Sequence, residues 1–345
     1  MLVFIIRLFI FNKSLKFFNG HKIRISAKVS QEPSKFSNSQ KFNLEGFNFY
    51  LPKYPQVNYG DKVVVEGTVE DGKVINAKLI DLIKNENVLL GFRKKIISFY
   101  QSSLPQPYSS LVAGIILGYK SEQTSIFWNQ LRKTGTMHVV VASGMNVIFV
   151  AGFLMSIFLT FFSRRKSALL VLIGVWIYAF ISGFEAPIVR SSIMFSIALV
   201  AQLFGRLSFS INALFLSVLV MLVIKPAWIY DLGFILSFTA TASLMLFTKK
   251  VDKFLKYIPK YIKTDLKTTL AAQIGVAPIL FVTFGEFNLL SPLVNTLILW
   301  AVPLIMIIGS LGGLVGLIIP SLGKLILYLS YPLTWYFVSI VGIFS

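Results

Sequence analysis

His138, Ser143, Gly144 and Asn146 stand inside an otherwise apolar run, MHVVVASGMNVIFVAGFLMSIFLTFF, from Met137 to Phe162. The run is long enough to cross a bilayer, which takes about 20 residues. Polar groups in a spanning helix are costly, so they face other protein or water. Asn146 follows His138 by eight positions, about 80° apart at helical periodicity, so an unbroken helix would aim both at one cavity. Ser143-Gly144 is where such a helix would bend or break. The chemistry on offer is hydrogen bonding to something polar in passage. Catalysis fits poorly: Ser143 follows His138 by five residues, roughly 140° around a helix, whereas Ser–His proton transfer needs contact at about 3 Å. The chain has no Cys and two His, His21 and His138, which excludes thiolate metal sites and a His-rich zinc centre. We expect no catalytic residue, no metal and no cofactor.

Three further constellations belong with that run. Glu185 and Arg190 lie in SGFEAPIVRSSIM, where Pro187 is placed to start a helix. Arg190 then falls in the first turn, where a cation opposes the macrodipole and calls for an acidic partner. Asp231, in YDLGFILSF, is a candidate partner and also a candidate N-cap for the helix after it. Gln273, Asn295 and Pro303 are polar or helix-breaking residues within later apolar runs, a pattern of discontinuous helices around a pathway.

The elements that must hold these residues are membrane helices. The 345 residues are 55% hydrophobic with net charge +19, too apolar for an ordinary soluble domain. Besides 137–162, spans are expected at about 168–182, 188–203, 211–229, 232–247, 270–284, 289–309 and 325–344, about eight in all. Gly312 to Pro320 either extends the penultimate span or forms a half-helix. Residues 109–118 (SSLVAGIILG) are apolar but too short to cross, so they read as interfacial or re-entrant. Residues 82–107 begin as a basic amphipathic helix of the kind that lies on a membrane surface.

Residues 20 to 85 differ in kind. HKIRISAKVS and DKVVVEGTV alternate apolar and polar residues at period two, which argues strands. About five short strands in a small OB-like barrel are expected. OB-folds commonly hold single strands of nucleic acid with basic grooves and stacking aromatics. Lys22, Arg24, Lys28, Lys41 and Lys53 are the candidate binding cations here, with Phe47, Phe49, Tyr50 and Tyr54 as candidate stacking rings. Arg132 and Lys133 add a basic pair before the organising run. The competing reading makes the barrel a plain spacer and its aromatics core. The expected division is an apolar segment 1–19, the β domain 20–85, a connector 86–134 and a polytopic domain 135–345.

Arg164-Arg165-Lys166, then Arg206, then the lysines from Lys249 to Lys267 fall at alternate loops and so on one side, the cytoplasm by the positive-inside rule. The loops near Gly183–Pro187 and Lys225–Asp231 fall on the other side, with His138 and the β domain. Long domains translocate largely regardless of charge.

ILGYKSEQTSIFWNQLRKTGTMHVVVASGMNVIFVAG resembles the leading motif of the ComEC-type competence membrane proteins. FISGFEAPIVRSSIM, KPAWIYDLGFILSF and PILFVTFGEFNLLSPLVNTLILWAVPLI resemble later segments of that family, in its order, and the β region is similar to its OB-like domain. The resemblance implies a channel in the bacterial cytoplasmic membrane that passes one DNA strand during natural transformation. His138, Ser143, Gly144, Arg190, Asp231, Gly233 and Asn295 occupy the matching motif positions. Asn146 stands where the family motif has a second His, which keeps hydrogen bonding but removes a titratable group. Many members continue into a metallo-β-lactamase-like domain; this sequence ends at Ser345, and no nuclease activity is expected of it.

The fold expected is thus a polytopic α-helical membrane protein with an N-terminal all-β OB-like domain on the outer side. Its expected partners are single-stranded DNA and membrane lipid, a DNA-receptor protein outside and, for want of any P-loop, an ATP-driven motor protein inside. Oligomeric state is left open. The rival is a transporter of small solutes or lipid-linked substrates with the β domain as spacer.

Overall fold

The computed structural model describes residues 20–29, 33–36, 38–45, 47–70, 73–85, 87–119, 126–141, 143–206, 209–284, 288 and 290–345. The apolar segment expected at 1–19 lies outside them.

Period-two alternation becomes a six-stranded sheet. The strands are β1 (Lys22–Lys28), β2 (Ser34–Lys35), β3 (Ser39–Leu44), β4 (Phe47–Pro52), β5 (Lys62–Glu70) and β6 (Lys73–Ile83). Their order is β1-β5-β6-β4-β3-β2, antiparallel except for the β4–β6 pair. Along β5, Val63, Val65 and Val69 turn inward while their neighbours face out. They meet Phe42 and Phe49, cross-strand partners with ring centroids 6.1 Å apart. The sheet differs from the expected five-stranded barrel. It has a sixth strand, the two-residue β2, and β1 and β2 end the order with no closing pair among the described residues.

Helices follow. The basic segment gives α1 (Val88–Ser103), capped by the Asn87 side chain on Leu89 N–H. It does not simply lie on a membrane face, because Leu90, Arg93, Ile96, Ile97 and Tyr100 bury one side of it against other helices. Tyr100 donates its hydroxyl to the carbonyl of Gly309 at 2.9 Å. The short apolar run forms α2 (Tyr108–Leu117), whose residues from Ser109 to Leu117 are all buried. It is a ten-residue helix that ends inside the bundle.

The organising run breaks where Ser143-Gly144 predicts. After α3 (Ile126–Lys133), the run starts as one turn, α4 (Met137–Val140). Val141 and Ser143 are extended, and α5 (Gly144–Phe161) completes it. There follow α6 (Arg164–Ile181), α7 (Ala186–Leu203) and α8 (Ser210–Ile224). A 3-10 turn at Pro226–Tyr230 leads into α9 (Leu232–Phe254), α10 (Lys260–Phe284) and α11 (Ser291–Ile298). The chain closes with α12 (Ala301–Gly316), α13 (Pro320–Tyr328) and α14 (Tyr331–Ile343).

The expected spans all fall on helices, but fewer than eight cross by themselves. Four segments, Met137–Phe161, Ala186–Leu203, Leu232–Phe254 and Lys263–Thr283, are long and apolar enough to span, and six are if two pairs bent by 45° each count once. Those pairs are α11 with α12 and α13 with α14. Gly312 belongs to α12, so the glycine-rich stretch extends that span. Close packing explains its glycines: a Cβ on Gly323 would strike the backbone of Gly316.

The sheet meets the bundle at the end where α6 finishes. Tyr59 packs against Phe180, with ring centroids 6.0 Å apart, and Leu90 of α1 fills the space beside Gly60.

Candidate functional site

The last carbonyls of α2 need partners, because a helix end leaves its final C=O groups without intrahelical donors. Left-handed Gly118 closes the helix, its N–H on Gly114 and the N–H of Tyr119 on Ala113. The next three carbonyls are taken by side chains from three different helices. Asn146 Nδ2 donates to Ile115 at 2.6 Å, Tyr178 hydroxyl to Ile116 at 3.0 Å, and Arg93 Nη1 to Leu117 at 2.5 Å. Arg93 Nη1 also reaches the carbonyl of Ile181 at 2.6 Å, the last residue of α6. One buried guanidinium therefore sits at two helix C-termini, where the macrodipole favours a cation.

Asn146 is thus buried and committed to protein, with Ser143 Oγ donating to its Oδ1 at 3.3 Å. His138 is placed differently. The break separates it from Asn146, it is exposed, and its Nδ1 lies 3.1 Å from the carbonyl of Gly135. The two residues do not share one helical face as an unbroken helix would have them do.

Gly144 brings the second constellation to the first. A Cβ there would strike Ser191 Oγ and approach Arg190 Nη2 at 3.2 Å, so α5 and α7 touch at this point. The Arg190 side chain is 9% exposed in α7. Its hydrogen bonds among the described residues run to neutral groups: Ser237 Oγ at 2.9 Å, Ser191 Oγ at 3.3 Å and Met194 Sδ at 3.5 Å. The carboxylate pairing expected from its first-turn position is replaced by hydroxyls from α7 and α9. Asp231 caps α9, accepting from Phe234 N–H at 2.8 Å. Gly233 packs beside it, since a Cβ would lie 3.1 Å from Asp231 Oδ1 and 3.9 Å from Pro187. Glu185 precedes α7. Burial pulls the Lys225 ammonium below the usual lysine pKa, while the carboxylates of Asp231, Glu45 and Glu185 pull it back. Glu45 belongs to the sheet domain, so that domain and both interhelical loops lie within electrostatic reach of one lysine.

The last constellation meets at Ser291, which sequence reasoning missed. Gln273 Nε2 donates to its hydroxyl at 3.1 Å and Asn295 Nδ2 at 3.3 Å. Gly135, which accepts from His138, lies so close that a Cβ there would sit 2.8 Å from Ser291 Oγ. Asn295 Oδ1 is buried with no hydrogen-bond partner among the described residues, a place suited to a bound water. Pro303 lies in the first turn of α12, past the bend.

The candidate basic residues are less gathered. Lys22, Arg24 and Lys28 line the exposed face of β1, with Lys22 paired to Glu66 at 2.6 Å. That contact holds the Glu66 carboxyl below its usual range. Lys41 Nζ stands 5.4 Å from the ring centroid of its cross-strand partner Tyr50. Phe47 and Phe49 turn into the core, whereas Tyr50 and Tyr54 are exposed. Lys53 is half-buried just after β4, and Arg132 and Lys133 are exposed in the last turn of α3. Among the described residues no three His, Cys, Asp or Glu side chains come together as metal ligands.

A sheet domain set on a bundle of apolar helices, some broken or ending within it around polar clusters, defines a helical protein of membrane type. Residues 115–345 match the competence protein family, and the chain belongs to that family. It is 28% identical over 243 residues to ComE operon protein 3 of Bacillus subtilis (strain 168), a stretch covering 69% of this chain and 30% of that protein. The chain therefore spans under a third of that relative's length. No solved structure matches.

Proposed function

We propose that the chain is the membrane conduit through which one strand of DNA enters the cell during natural transformation. Family membership supports a role in DNA uptake. The observation that carries the conduit is the break at Val141–Ser143 between two polar clusters, beside a helix that ends inside the bundle. Irregular backbone at membrane depth is tolerated only where protein buries it or where it lines a watery cavity. In this reading His138, Ser143 and Gln273 line the path. Asn146, Gly144, Arg190, Asp231, Gly233, Glu185 and Asn295 hold its walls.

The chain lies in the bacterial cytoplasmic membrane with the sheet domain outside, where Lys22, Arg24, Lys28, Lys41 and Lys53, with Arg132 and Lys133, collect the polyanion. The sheet acts as an OB-like module within residues 20–85, the connector runs over 86–134 and the conduit over 135–345. A receptor protein outside delivers the strand and an ATP-driven motor inside draws it. Labelled DNA tests this: cells lacking the chain should bind DNA at the surface as before and lose nearly all internal label. Unchanged internal label, with loss of uptake of a small solute or lipid-linked substrate, would establish the rival transporter.

A further inference from the structure

Where the sheet domain meets α1, a cleft of about 180 Å³ opens that the conduit reading does not use. Lys35 of β2 and Gln56 line it from the sheet side. Arg93, Lys94 and Gln101 line it from α1, and Tyr119 from the residue after Gly118. Its lining contains three cations and no carboxylate.

Each part has a separable role. Arg93 is the buried floor, fixed by the carbonyls of Leu117 and Ile181. Lys94 is exposed one residue further along α1, and Lys35 is half-buried opposite. The Lys35 ammonium stands 5.4 Å from the Tyr119 ring centroid, a cation–π contact of the exposed kind that is worth little and is readily exchanged. The Tyr119 hydroxyl lies 3.4 Å from Gln101 Nε2, which steadies the ring. Cations around a ring beside amide donors suit a phosphodiester with its base: the charges take the phosphate and the ring takes the base face. At about 180 Å³ the cleft is smaller than the roughly 300 Å³ at which enclosed ligand pockets begin. It suits one nucleotide of a strand that continues into solvent.

We propose that this seam cleft is a single-stranded DNA site that seats one phosphate between Lys35 and Lys94 with its base against Tyr119. The proposal rests on the conduit reading and adds where the strand is held: at the joint of sheet and bundle, one residue past the buried α2, rather than along the face of β1. Arg93 contributes charge from below and ties that site to the ends of α2 and α6.

The test uses the full chain in nanodiscs of zwitterionic lipid and a fluorescent twelve-residue oligothymidylate, read by anisotropy across salt concentrations. Lys35→Glu with Lys94→Glu should weaken binding at least about tenfold. The slope of log K on log salt should fall by about 1.4, since each phosphate contact on a single strand contributes about 0.7. Lys35→Ala with Lys94→Ala should give a smaller loss of the same sign. Tyr119→Phe should bind as the parent does and Tyr119→Ala more weakly. Thermal unfolding of each variant controls for folding. Parent-like binding by the well-folded cleft variants, with loss in Lys22→Glu/Arg24→Glu, would overturn the cleft and leave the conduit standing. Loss of binding to phosphatidylglycerol vesicles without loss for the oligonucleotide would overturn it in favour of a lipid headgroup. Lost oligonucleotide binding with normal DNA uptake in cells would keep the cleft as a DNA site and count against the conduit instead.

Discussion

Asn146 donates its side-chain amide to the backbone carbonyl of Ile115, 31 residues earlier in the chain, at 2.6 Å. The bond joins the first turn of the long part of the broken span to the buried end of α2. It makes Asn146 a cap of another helix. Removing a buried hydrogen-bond donor and orphaning its acceptor costs about 1–3 kcal/mol. Asn146→Ala should therefore lower the Tm of the detergent-solubilised protein and reduce its membrane abundance, with DNA uptake falling in proportion to abundance. A normal Tm with uptake abolished would make Asn146 part of the path itself.

Gly144 and Ser191 give a second expectation, because α5 and α7 approach too closely there for a side chain. Gly144→Ala should destabilise by about 1–3 kcal/mol through overpacking. Adding Ser191→Gly removes the opposing side chain and should restore part of the loss. Purely additive damage, measured by thermal unfolding of the single and double variants, would show that the two positions do not press on each other.

The break in the organising run was legible because Ser-Gly inside an apolar helix offers little to hold it straight. Asp231 was legible as an N-cap because its acceptor lies three residues from the N–H it receives, a local relation that spacing reveals. The caps on α2 were not legible. Arg93 sits in a segment whose Lys94 and Lys95 neighbours make it look like a surface cation, and only packing shows that it turns inward. Its partners, Leu117 and Ile181, lie 24 and 88 residues away, beyond any periodicity. The partner of Arg190 was misread for a related reason. First-turn electrostatics call for a carboxylate, yet buried hydroxyls from α7 and α9 supply the hydrogen bonds. The span count fell short because α6 opens on three cations and α8 has only 15 residues.

Sidedness gives a third expectation, and the absence of cysteine makes it simple to measure. Tyr54 is 70% exposed on the sheet domain, and Lys256 is exposed in the lysine-rich loop after α9. In intact cells an impermeant thiol reagent should label Tyr54→Cys and leave Lys256→Cys unlabelled until the membrane is opened. The reverse pattern would place the sheet domain inside and remove its part in collecting DNA.

Cross-linking from within the broken span tests the conduit most directly. A photoreactive benzoylphenylalanine at His138, exposed beside the break, should capture labelled DNA in cells that are taking it up. The same group at Phe215, 61% exposed on α8, should capture none. DNA joined at position 138 but not at 215, on a single strand by nuclease sensitivity, is the result the conduit predicts. Full uptake of DNA with no cross-link at 138, in a variant present at normal abundance, would contradict it.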